Sequence, residues 1–247
     1  MPKFYQVIVI FLLIHLPISA AQSKPSDLQI SQLTENLYLH KSYQLTDSFG
    51  LVSSNGLIYI AADQQSAYLI DTPWSEADTI KLVEWLDEQG YELKASISTH
   101  SHDDRTAGMG YLNSLGINTH ASTLTNQLLT QQNKPTSVSS FNGNKLNLLD
   151  EYVEVYFVGA GHTIDNLVVW FPKTKLLYGG CMVKSINSKS LGYIAEADLQ
   201  AWPQSIATLK QQFGQAKQVL PGHGKIGNTE LLTHTQKLLK AHKSINQ

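Results

Sequence analysis

One cysteine, Cys181, occurs among 247 residues, so no disulfide can form within the chain. Charge is sparse as well. Charged residues make up 15% of the chain and the net charge is −2, which leaves no basic excess to suggest nucleic acid or an anionic membrane as partner. No coiled-coil repeat is present, and a monomer is the expected state. The one long apolar run, Val7 to Leu16, is too short to cross a bilayer comfortably, and no cysteine stands near it to be lipidated.

That run reads as a targeting segment. Lys3 precedes it, Pro17 follows it, and Ser19-Ala20-Ala21 supplies the small residues that signal peptidase needs. Residues 1–21 are therefore expected to be a signal peptide cleaved after Ala20 or Ala21, and residues 22–247 a single domain with no membrane anchor. In a bacterium the destination is the periplasm. There a lone thiol is a liability unless something occupies it. A hydrophobic content of 42% suits an ordinary globular domain of this length.

The chain is organised around Thr99-His100-Ser101-His102-Asp103-Asp104-Arg105. It follows the apolar run Ala95 to Ser98, the expected end of a buried strand. A turn there lets His100 and His102 converge, and neutral imidazole is a good zinc ligand. Similar turns recur downstream: Gly161-His162-Thr163, Gly179-Gly180-Cys181 and Pro221-Gly222-His223-Gly224. Six donors, His100, His102, Asp104, His162, Cys181 and His223, exceed what one tetrahedral zinc with an open water position can use. Three imidazoles suit a site that acidifies water, and an aspartate, a thiolate and an imidazole suit a second, softer one.

Between these turns the pattern alternates strands and helices. Strands are expected at 37–40, 50–53, 56–60 and 67–70 as an antiparallel meander, with Ser54-Asn55-Gly56 and Ala62-Asp63-Gln64 as turns and Lys41 to Phe49 as a polar loop. Helices are expected from Ser75 to Gly90, Thr106 to Leu115, Ser122 to Gln131, Ala197 to Gln212 (with Leu199 inward) and Glu230 to Ser244. Further strands fall at 93–98, 117–120, 153–158, 167–171, 175–178 and 219–220, and Asn133 to Asn147 reads as a connection. Asp71 is either a hydrogen-bonding carboxylate behind the metal site or a turn aspartate. His40 reads as structural and His120 as exposed or capping. The order is α/β, consistent with two sheets back to back and helices outside.

His100-x-His102-x-Asp104, His162 in Gly-His-Thr, Cys181 in Gly-Gly-Cys-Met-Val-Lys and His223 in Pro-Gly-His-Gly together resemble the class B metallo-β-lactamases. The match is to the subclass whose second zinc is held by Asp, Cys and His, and it extends to Asp71-Thr72-Pro73-Trp74 and Ala201-Trp202-Pro203. The resemblance implies a four-layer αβ/βα sandwich with two zinc ions per monomer at one edge of the sheets. It also implies hydrolysis of the cyclic amide of penicillins, cephalosporins and carbapenems by a zinc-bound hydroxide, giving antibiotic resistance. His100, His102 and His162 would hold the first ion and Asp104, Cys181 and His223 the second, with Asp104 orienting the nucleophile. Lys184 would pair with the substrate carboxylate, Arg105 would lie beneath the second ion, and Lys41 to Phe49 would form a flap over the substrate. Many relatives carry asparagine where Tyr193 stands; either its hydroxyl replaces that amide or zinc alone stabilises the oxyanion. Two other readings are a glyoxalase-type thioesterase and a periplasmic zinc-binding protein without catalysis. Against the first, Arg105 stands where a histidine is usual, and Cys181 where a bridging carboxylate is usual.

Overall fold

A computed structural model describes residues 27–245, Gln64 excepted. The expected signal peptide lies outside the described residues. Strands β1 (Gln29–Thr34), β2 (Leu37–Thr46), β3 (Gly50–Ile60), β4 (Ser66–Ile70), β5 (Glu92–Ile97), β6 (Asn118–Ser122) and β7 (Ser139–Phe141) form one sheet in chain order, antiparallel up to β4 and parallel from β4 to β7. The second sheet runs β12 (Gln218–Pro221), β11 (Leu176–Gly180), β10 (Val168–Phe171), β9 (Val153–Tyr156), β8 (Lys145–Leu149).

The layering follows from side-chain alternation along single strands. Leu57, Tyr59 and Ile70 of the first sheet pack against Val155, Val169, Phe171 and Tyr178 of the second. Their neighbours Ile58, Ile60 and Leu69 turn the other way, onto Leu82 and Leu86 of α1 (Glu76–Glu88) and Leu112 of α3 (Met109–Ser114). Val168, Trp170 and Leu177 likewise meet Trp202, Ile206 and Leu209 of α5 (Trp202–Phe213) and Leu231 and Leu232 of α6 (Glu230–Ile245). Strands apolar on both faces need cover on both faces, and the result is the expected four-layer αβ/βα sandwich. Among the described residues no helix is long and apolar enough to cross a membrane.

Several local expectations are corrected. The segment from Lys41 is not a loop: β2 runs to Thr46 and pairs with β3 up to Thr46↔Gly50, leaving Asp47-Ser48-Phe49 as the tip. Ser54-Asn55-Gly56 is not a turn but the middle of β3. Gly56 lies opposite His40, and a Cβ there would run into the His40 ring, so this glycine serves close packing. The helix expected from Thr106 divides into α2 (Asp103–Thr106) and α3 around Gly108, whose N–H donates to Thr72 Oγ1 at 3.0 Å and whose missing Cβ makes room for Thr79. The supposed connection Asn133 to Asn147 contains β7 and the start of β8, short edge strands too polar to show as apolar runs. Strand β1 was also unmarked in the sequence. Helix α5 begins at Trp202 because Asp198 Oδ1 accepts from Gln200 and Ala201 N–H and holds a turn before it, which leaves Leu199 exposed rather than inward. The helices from Ser75 and Ser122 start as expected, each serine accepting an N–H three residues on, the latter opening α4 (Thr123–Gln131).

Candidate metal centre

All six candidate donors lie at the same edge of the sandwich, each just beyond the end of a strand or on the turn that follows it. Histidines 100 and 102 and Asp104 follow β5, His162 follows β9, Cys181 follows β11 and His223 follows β12. The edge is drawn together by hydrogen bonds between distant segments. Leu167 N–H donates to Thr99 O at 2.7 Å and Gly222 N–H to Gly180 O at 2.7 Å. Asn55 adds three more, from its backbone N–H to Gly222 O at 2.8 Å and from its side chain to Pro221 O at 2.9 Å and Gly224 O at 2.8 Å.

Two donor sets result. His102 Nδ1 lies 3.2 Å from His100 Nε2 and 3.3 Å from His162 Nε2. Three nitrogens on one tetrahedral zinc would be about 3.3–3.4 Å apart, given metal–nitrogen bonds of about 2.0–2.1 Å. In the second set Cys181 Sγ is 3.2 Å from His223 Nε2 and 3.6 Å from Asp104 Oδ2, and those last two atoms are 3.4 Å apart. A zinc with one sulfur, one nitrogen and one oxygen ligand would set edges of about 3.4–3.6 Å. Both sets therefore fit zinc in donor type and spacing. Asp104 Oδ1 lies 3.9 Å from His100 Nε2, so its carboxylate stands between them. His100, Asp104 and Cys181 thereby also group as three donors.

The partners behind the donors fix which nitrogen is free. His223 Nδ1 donates to Ser53 O at 2.7 Å, which leaves Nε2 bare toward the second set. Burial holds the pKa of His100 and His162 well below the ordinary histidine value and that of His223 at about 4, so these rings are neutral ligands at neutral pH. Nδ1 of His162 is buried with no hydrogen-bond partner. Burial pushes the Cys181 thiol up to about 12 against the pull of Arg105, so a thiolate forms there only when a cation takes the proton's place.

Arg105 is fully buried beneath the second set. Its Nη2 donates to Cys181 Sγ at 2.9 Å and lies 2.7 Å from Asp104 Oδ2, and its Nη1 donates to Asn55 O and Tyr178 Oη, both at 2.6 Å. Burial works to raise the Asp104 pKa, but the Arg105 charge, joined by His223, His102 and the Cys181 hydrogen bond, outweighs it and holds the carboxyl below its ordinary value. Asp71 resolves toward the first of its two readings. It sits at φ 60° beyond β4, accepts from Thr99 N–H at 2.7 Å and Tyr178 Oη at 2.6 Å, and lies 3.3 Å from Arg105 Nη1. Its own carbonyl accepts from His40 Nε2 at 2.9 Å, which gives that histidine the structural role expected of it. His120, expected to be exposed or capping, is half-buried within β6.

Four of the donors, His102, Asp104, His162 and His223, line a cavity of about 640 Å³, a size suited to a small molecule. Lys184 lines it, buried, with Nζ 5.2 Å from the centre of the Trp202 ring. The salt bridges of the described residues include none to Lys184. Tyr193 stands at the rim, half-exposed, its ring 5.6 Å from that of His102. Phe49, at the β2–β3 tip, lines the same cavity and is 53% exposed, so the segment expected to form a flap borders the cavity as a strand pair. The sequence did not point to Glu196, whose Oε2 lies 3.0 Å from His102 Nε2.

No family model matches the chain. Among characterised proteins it is 42% identical to a metallo-beta-lactamase type 2 of Pseudomonas aeruginosa over 88% of this chain and 87% of that one. It is 36% identical to a protein of the same name from Bacteroides fragilis, covering 87% of each. Among solved structures it superimposes on DIM-1 metallo-beta-lactamase exposed to ceftazidime with a TM-score of 0.86 and 46% identity, over 89% of this chain and 99% of that one. TMB-1 gives a TM-score of 0.85 and 50% identity over 88% and 99%. FIM-1 of Pseudomonas aeruginosa, in its mono-zinc form, gives a TM-score of 0.82 and 30% identity over 90% and 99%.

Proposed function

Since this chain belongs to the metallo-β-lactamases, zinc-dependent hydrolases of β-lactams that give antibiotic resistance, we propose that it opens penicillins, cephalosporins and carbapenems alike, as a periplasmic monomer holding two zinc ions. The observation that carries this reading is the meeting of two three-donor sets at Asp104 beside one cavity, with a buried ammonium that has no carboxylate partner among the described residues.

His100, His102 and His162 would hold one ion and Asp104, Cys181 and His223 the other. Zinc bound there supplies a Lewis acid for the lactam carbonyl and lowers the pKa of water toward neutrality. The remaining work falls to the chain. Asp104 Oδ1, turned toward His100, is the oxygen free to accept a hydrogen bond from the attacking water and orient it. Lys184 meets the carboxylate that β-lactams carry beside the ring nitrogen. Burial lowers its pKa to about 8, so at neutral pH the ammonium persists and gains from an anionic partner. Trp202 backs the ammonium, Phe49 covers the apolar side of the substrate and Tyr193 borders the leaving side of the cleft. All three classes carry the carboxylate and lactam that these groups address, and the remaining cavity is open enough for varied substituents. The single cysteine, Cys181, is committed to the second donor set, which leaves no thiol to form an acyl-enzyme.

The test is hydrolysis of a penicillin, a cephalosporin and a carbapenem by the purified mature protein, before and after chelation and after zinc is restored. Turnover of all three that vanishes with chelator and returns with zinc is expected. Two equivalents of bound zinc without lactam turnover would sink the reading.

A further inference from the structure

Of the three imidazoles in the first set, His100 and His162 are buried, whereas the His102 side chain is 19% exposed. Packing fixes the first two rings. A partly exposed ring on a short turn is free to rotate and to present either nitrogen unless something holds it. Glu196 Oε2 stands 3.0 Å from His102 Nε2. A carboxylate only accepts, so the hydrogen resides on Nε2 and the lone pair of the neutral ring on Nδ1. Nδ1 is the atom that faces His100 and His162. Tyr193 packs edge-on to the same ring from the same connecting segment, between β11 and α5.

We propose that Glu196 is a positioning residue: it holds His102 with Nδ1 toward the first ion, and through that contact it ties the segment carrying Tyr193 to the three-imidazole set. Glu196 itself lines the cavity but belongs to neither donor set. If zinc orders His102, and His102 orders Glu196, then loading the first site quiets the cavity wall. By the reciprocity of coupled binding, disordering that wall weakens the site. As an exposed ion pair alone the contact would be worth little. Its effect lies in selecting one tautomer and one ring orientation, for which partners of metal-bound histidines are worth about 10–100-fold in affinity. The inference rests on the reading that the three imidazoles hold zinc.

The experiment uses the full mature chain and three forms: parent, Glu196→Ala and Glu196→Gln. Zinc affinity is measured by competition with a chromophoric chelator, cobalt(II) substitution reports ligand geometry by its visible bands, and hydrogen exchange reports order in residues 186–201. Glu196→Ala is expected to lose about 10–100-fold in affinity for one of the two ions, to shift the cobalt bands and to exchange faster in that segment when loaded. Glu196→Gln keeps an oxygen that accepts from Nε2–H and is expected to restore most of all three. Alanine indistinguishable from parent, or glutamine as damaging as alanine, would overturn the proposal. None of these readouts uses a lactam, so a parent that loads zinc but leaves lactams intact would refute the hydrolase reading alone. A parent that binds no zinc would refute the site and this inference together.

Discussion

Arg105 Nη2 lies 2.9 Å from Cys181 Sγ, with the guanidinium fully buried. The thiol of the second donor set thus rests directly on a fixed positive charge. That charge also faces Asp104 and Asp71, so one buried cation balances several groups that are anionic when metal is bound. Replacing Arg105 by alanine would leave those carboxylates uncompensated, and a loss of about 3–5 kcal/mol in stability is expected. Lysine is expected to rescue little, because a single ammonium cannot reach Cys181, Asp104, Asn55 O and Tyr178 together. Urea unfolding of the parent, Arg105→Ala and Arg105→Lys checks both statements, and a lysine variant as stable as the parent would contradict the second.

The two donor sets share no ligand atom, so they should empty separately. Cys181→Ala is expected to retain about one equivalent of zinc at the imidazole set and to lose at least 100-fold in turnover. Metal analysis after dialysis against a weak chelator, beside steady-state kinetics, measures this. Loss of both ions would mean that the sets do not bind independently.

Gly222 gives a steric version of the same test. A Cβ there would lie 2.7 Å from both Arg105 Nη2 and Cys181 Sγ, closer than real Cβ atoms come. Gly222→Ala must therefore push the sulfur and the guanidinium apart, and zinc binding at the second site is expected to weaken at least tenfold with the first site retained. Zinc titration with and without the substitution decides it.

His40 is buried near Asp71, and burial lowers its pKa to about 4 from an ordinary value of 6.5. Unfolded chains therefore take up a proton that the folded chain refuses between those values. The stability this neutral histidine confers is fully present above pH 6.5 and is lost as pH falls through 4, with an upper limit of about 3 kcal/mol. His100, His162 and His223 act in the same direction when metal is absent. In zinc-free protein His40→Gln should flatten the pH dependence of the unfolding free energy across that window by about one proton. An unchanged slope would show that His40 does not titrate there.

Tyr193 packs against His102 at the cavity rim, but no donor set depends on its hydroxyl. Tyr193→Phe is expected to change kcat less than tenfold for most β-lactams. A loss of several orders of magnitude would assign oxyanion stabilisation to the hydroxyl rather than to zinc.

What was legible in the sequence was what repeats a local rule. Each donor stands just past a strand with glycine or a turn close by, and Ser75 and Ser122 stand where capping serines stand. The two-faced apolar strands of the second sheet read plainly for the same reason. Asn55-Gly56 misled because the pair that favours a hairpin turn also suits a strand where a side chain must bridge to Pro221 and a missing one must admit His40. Lys41 to Thr46 misled because its one buried residue, Ser42, is polar and its end stands clear of the core, so the apolar alternation that marks a strand is lost. Glu196 was invisible for a third reason. It is a lone acid in an irregular segment, and its meaning lies wholly in a contact 94 residues away.

The three hydrogen bonds of Asn55 span 166 to 169 residues of chain. Loop-closure entropy makes contacts of such separation the costliest to form, and each depends on nearly the whole chain being present. A nascent or truncated chain ending before β12 carries His100, His102, Asp104, His162 and Cys181, yet has neither His223 nor the turn to which Asn55 is bound. Completion of the chemistry is thereby tied to completion of the polypeptide.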